Sequence, residues 1–79
     1  SRLREQILPQ LPQLQEGMKI SDIQKLSEEI ITMGSRYQIT AFENFGRELF
    51  HHTASFDIEN IRSSLKQLAN SLEGMDKID

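Results

Sequence analysis

The sequence predicts an all-α protein, an up-down-up-down four-helix bundle. Three observations carry that prediction. Apolar residues recur at steps of three and four in four successive segments, the spacing that gathers them on one face of a helix. No stretch alternates apolar and polar residues as a half-buried strand would. The breaks between segments are short and hold helix-stopping or helix-starting residues, as between antiparallel neighbours in a bundle.

The first helix is expected near residues 5–19. Leu3, Ile7, Leu8, Leu11, Leu14 and Met18 form its stripe, and the glutamines at 6, 10, 13 and 15 a solvated face. Pro9 and Pro12 each lack a backbone donor and clash with the preceding turn. They predict a loose first turn or two, then a helix restarting near one of them, since proline suits the first helical position.

The second helix is expected near 21–34, with Ser21 as N-cap and Gln24 completing a capping box. Ile23, Leu26, Ile30 and Met33 face the core, Lys25 and Glu29 form an outer i,i+4 pair, and Gly34 is the expected stop. The third is expected near 39–54, capped by Thr40 with Glu43 at the capping-box position. Phe42, Phe45, Leu49 and Thr53 line its buried face, Gly46 admits another helix closely, and Glu43 pairs with Arg47 outside. The fourth is expected near 57–73, with Asp57 as N-cap and a hydrophobic staple from Phe56 to Ile61. Ile58, Ile61, Leu65, Leu68, Leu72 and Met75 form its stripe, Gly74 ends it, and the residues after it are expected to fray.

Composition narrows the function. Seventy-nine residues make one domain, here 1–79, and a start at Ser1 reads as a piece of a longer multidomain protein. A net charge of −3 argues against nucleic acid, which calls for a basic face. No apolar run reaches the roughly 20 residues of a membrane span. There is no cysteine, hence no disulfide or thiolate site. His51 and His52 point about 100° apart on a helix and cannot share an ion, while Glu48 with His52 gives two ligands where zinc needs three. Neither a nucleophile triad context nor a phosphate loop is present, so no enzyme, metal or cofactor is expected.

Leu26 to Leu49, LSEEIITMGSRYQITAFENFGREL, resembles the core of the histidine-phosphotransfer (HPt) domains of bacterial phosphorelays. Their pattern is close to L-x-H-x-L-K-G, a turn, then a helix ending in an acidic-Leu pair. Leu26 and Ile30 match the two leucines, Tyr37 to Ile39 the turn, Phe42, Phe45, Glu48 and Leu49 the next helix, and Phe56-Asp57 the opening of the last one. The resemblance covers about the last 55 residues. It departs where the chemistry would be: Glu28 stands at the phosphohistidine position, Ile31 at the lysine and Thr32 at the glycine. The whole segment is also similar to the C-terminal tails that follow receiver domains in bacterial hybrid sensor histidine kinase/response regulators.

The resemblance implies a degenerate HPt-like domain, a non-catalytic interaction module of a two-component system that docks a receiver or kinase domain of its parent chain without carrying phosphate. The docking residues would be Lys25, Glu28, Glu29, Ile31 and Thr32. Helical spacing turns Glu28 away from the core, with Ile31 either a small outward apolar spot or flanking core against the first helix. The module would be cytoplasmic, in a parent that could itself be membrane-anchored. Two alternatives stand beside it. One is a structural bundle forming a homodimer through the fourth-helix stripe or the proline-broken helix. The other is a phosphoacceptor using His51.

Overall fold

The computed structural model describes the backbone of residues 2–75 and the side chains of 3–74. The Met75 side chain and the stretch expected to fray lie outside the described residues. Among those residues the protein is all-helical with no strand. Four helical segments follow one another. The first is α1 (Arg2–Ile7), a 3-10 turn (Leu8–Gln10) and α2 (Leu11–Gly17); then come α3 (Ile20–Arg36), α4 (Thr40–Ala54) and α5 (Ile58–Met75).

The prolines break the first segment as expected. Pro9 falls in the opening of the 3-10 turn and Pro12 in the opening of α2, where a missing N–H leaves no bond unmade. The expected looseness before them does not occur. Leu3, Ile7 and Leu11 are buried core residues, because steps of four carry one apolar stripe straight through the break. They pack with Ile23, Leu26, Ile30, Met33, Leu49, Ile61, Leu65, Leu68 and Leu72. From Ile61 to Leu72 the α5 stripe is covered within the chain, as is the stripe of the broken helix from Leu3 to Leu11, while Ile58, expected in the α5 stripe, is exposed at the start of the helix.

The tightest contact is between α3 and α4. A Cβ built on Gly34 would lie 2.5 Å from the Glu43 backbone nitrogen; one built on Gly46 would lie 2.8 Å from Ile31 Cγ1 and 2.9 Å from Ile30 Cγ2. Gly34 opposite Glu43 and Gly46 opposite Ile30–Ile31 is an antiparallel register. Buried Ser27 and Thr53 donate their hydroxyls to their own helices, at the carbonyls of Gln24 and Phe50, each at 2.6 Å, so neither leaves an unmet polar group in the core. Gly34 is thus not the stop predicted for α3, which runs on to Arg36; it is the point at which α4's backbone touches α3. Because α4 leans onto α3, its other side is incompletely covered. Phe42 and Phe45, predicted as core, are half-buried, as is Leu14 on α2.

The turns reverse the usual division of labour between glycine and other residues. No glycine among the described residues has positive φ, whereas Met18 (48°), Gln38 (56°) and Phe56 (54°) do. At the end of α3 the Ile39 N–H donates to the Gly34 carbonyl (2.8 Å) and the Gln38 N–H to that of Ser35 (3.2 Å). At the end of α4 the Asp57 N–H donates to the His52 carbonyl (3.0 Å) and the Phe56 N–H to that of Thr53 (3.1 Å). Both are Schellman motifs, with Gln38 and Phe56 at the left-handed position that glycine normally fills.

The helix starts differ accordingly. Ser21 and Thr40 are not N-caps: Lys19 and Ile39 hold those positions, without side-chain caps. Half-buried Ile20, packed on the core, draws α3's start ahead of Ser21. Ile39 closes α3 with its N–H and opens α4 with its carbonyl, which accepts from Phe42 and Glu43. Glu43 bonds Arg47 at 2.7 Å, as expected of the i,i+4 pair. Asp57 does cap α5. Its Oδ1 accepts the Asn60 N–H (3.2 Å) and its Oδ2 the Asn60 side-chain amide (2.6 Å). The staple from Phe56 is absent, because the left-handed backbone swings that ring outward and leaves it 70% exposed.

Three outcomes follow for stability. Gly34→Ala meets the Glu43 backbone at 2.5 Å, which cannot step aside, and should cost about 3 kcal/mol, the upper part of the overpacking range; Gly46→Ala meets chiefly isoleucine side chains, with the Ile31 backbone nitrogen further off at 3.0 Å, and should cost less, about 1–2 kcal/mol. Urea titration of both variants checks the order. Phe56→Gly relieves left-handed strain and removes little packing, so a gain of about 0.5–1 kcal/mol is expected after allowing for glycine's unfolded-state entropy; a lower melting temperature would refute the strain account. The two Asn60 hydrogen bonds, and secondarily His52, hold the Asp57 carboxyl below its ordinary value. A lowered folded-state pKa stabilises above the unfolded pKa and is lost as pH falls through the folded one. The gap in melting temperature between wild type and Asp57→Ala should therefore narrow as pH drops below the usual carboxylate range.

Candidate docking surface

The five residues predicted on the outer side of the second helix lie on α3, but not on one open face. Lys25, Glu28 and Thr32 are exposed, at i, i+3 and i+7, and form a single ridge. Glu29 turns toward the first segment, half-buried, and its Oε1 accepts the Gln10 side-chain amide at 3.2 Å instead of pairing with Lys25. Ile31 turns the other way. It is half-buried, and its Cγ1 and backbone nitrogen edge the space beside Gly46. Ile31 is thus neither a fully outward spot nor packed on the first segment: it lies half-buried beside α4 at Gly46. What remains on the ridge is a cation, an anion and a hydroxyl.

The histidines do not assemble a site. His51 is exposed and His52 half-buried, with ring centroids 6.3 Å apart and planes tilted by 55°. Among the described residues no three His, Asp or Glu side chains are grouped to hold a metal ion. No helix among them is long and apolar enough to cross a membrane.

Two concavities were not foreseen from the sequence. A groove of mixed character, about 530 Å³, lies between the first segment and α3, edged by Gln10, Gln13, Leu14, Lys19, Asp22 and Lys25. An apolar groove of about 340 Å³ opens between the start of α4 and the end of α5, lined by Leu3, Ile39, Phe42, Phe45, Leu68 and Leu72. Its sequence signal was an excess: α4 has more large apolar residues than one contact face with α3 can cover, three of them phenylalanines, and two of those line the groove. No protein-family model, curated protein or solved structure matches this chain.

The placement of Ile31 sets an expectation for stability. Ile31→Arg forces a guanidinium into the α3–α4 seam and should lower stability by about 1–3 kcal/mol, whereas Thr32→Arg, on the exposed ridge, should change it by less than about 0.5 kcal/mol. Thermal melts of the two variants decide; equal melting temperatures would return Ile31 to the surface.

Proposed function

We propose that the chain is a non-catalytic interaction module of a two-component phosphorelay protein, a degenerate HPt-like up-down-up-down bundle that docks a receiver or kinase domain without carrying phosphate. The observation that carries the reading is the position of Glu28. It stands in the middle of α3, on an exposed ridge with Lys25 and Thr32, where the resemblance puts a phosphorylated histidine. Its carboxylate has a single negative charge, about half that of a phosphoryl group at neutral pH, and cannot relay one. The clamped α3–α4 pair keeps the ridge on a stiff support, which limits the order lost on docking.

With Ile31 in the seam, the docking surface is polar. Its contribution lies in orientation and encounter rate more than in affinity, and the contact should be weak and salt-sensitive. The module would act in the cytoplasm beside the other domains of its parent.

Titrating an isotope-labelled bundle with an isolated receiver domain or kinase core tests the reading. Shift changes should centre on Lys25, Glu28 and Thr32, and Glu28→Lys should weaken binding about 5-fold, in the range of an exposed charge contact. Shifts confined to another face would refute this surface. Incubation with a phosphorylated receiver should leave the bundle unlabelled; acid-labile label on His51 or His52 would establish a phosphoacceptor instead.

A further inference from the structure

Phe56 is held in a conformation that works against the monomer twice. Its φ of 54° is one that residues with a Cβ rarely adopt, and its ring is the most exposed large apolar side chain among the described residues. The turn does not call for it: the Schellman bonds use only backbone groups and would form equally with glycine. Ile58, two residues on, is also exposed. Gln38 sits in the same left-handed turn geometry; what sets Phe56 apart is that its ring is apolar and left mostly uncovered within the chain.

A matching recess lies at the far end of the same two helices. The groove between α4 and α5 has two half-buried phenylalanine rings in its wall, and among the described residues its side-chain polar groups are those of Gln67 and Ser71, with no charged one. Its volume of about 340 Å³ accepts a benzyl group, and the Phe42 and Phe45 rings suit edge-to-face packing. Phe56 cannot reach it within one chain. Ser55, next to Phe56, and Phe42 in the groove wall are thirteen residues apart along α4, about 20 Å at the helical rise.

We propose that Phe56 of one protomer seats in the α4–α5 groove of a second copy. Knob and recess are both apolar and, among the described residues, uncharged, and every molecule carries one of each. That complementarity within a single chain is the ground for a second copy over an unrelated partner. The contact is head-to-tail. It leaves a free knob at one end and a free groove at the other, so pairing propagates with concentration and does not stop at a dimer. One side chain in one groove covers far less than a standard interface, so the association is weak. The α3 ridge takes no part, and the inference stands apart from the docking function above.

Sedimentation equilibrium on the 79-residue chain, up to about millimolar concentration, tests it. The wild-type average mass should climb continuously with concentration. Phe56→Gly keeps the groove and loses the knob; Ser71→Arg, at an exposed position, keeps the knob and sets a charge in the groove mouth. Each variant alone should be monomeric, and an equimolar mixture should form pairs and go no further, since each partner has one dead surface. A wild type that stays monomeric throughout overturns the proposal. So does a Phe56→Gly variant that associates like wild type, or a mixture that stays monomeric while wild type associates.

Discussion

The structure depends on one close approach, that of α3 to α4 at Gly34 and Gly46. Each glycine lowers helix propensity by about 1 kcal/mol relative to alanine, and neither is at a turn. In return the two backbones come into contact, which no pair of residues with Cβ atoms at these positions allows. The consequences spread outward. The approach draws Ile31 into the seam and commits α4 to α3. With α4 drawn that way, its opposite side is left short of cover against α5, and the apolar groove is the result.

With glycines committed to the seam, the helix ends are made from other residues. Gln38 and Phe56 complete two Schellman turns, and Met18 ends α2 in the same left-handed region, its N–H bonded to the Leu14 carbonyl at 2.8 Å. Gln38 and Phe56 are exposed, so in those two turns the strain is not offset by burial. Stability in this chain comes from the buried leucine and isoleucine stripes of the first segment, α3 and α5, with Leu49 from α4. That surplus tolerates unfavourable turns, and in Phe56 one of them presents an aromatic ring to the outside.

The outer side of α3 shows how packing redefines a surface. Five residues within eight positions read as one docking patch on a bare helix. In the folded chain the two flanks are drawn off by neighbours, Glu29 by Gln10 and Ile31 by Gly46. The ridge that remains has no apolar centre. A surface of that kind would orient a partner already held nearby more than it would capture one, which is what the proposed docking requires of it.

The sequence by itself determined the helical class, the number of segments, the proline break, the Asp57 cap, the Glu43–Arg47 pair, the place for a close helix at Gly46 and most of the core, because these follow from spacing and local hydrogen bonding within a few residues. It also placed Glu28 outward, since helical phase alone decides that. Only the tertiary structure decided what depends on a neighbour. Leu3, Ile7 and Leu11 became core because α5 covers them. Gly34 became a contact point because α4 arrives there, and the left-handed turn then fell to Gln38. Phe42 and Phe45 became the wall of a groove because a helix drawn toward one partner cannot also close against another.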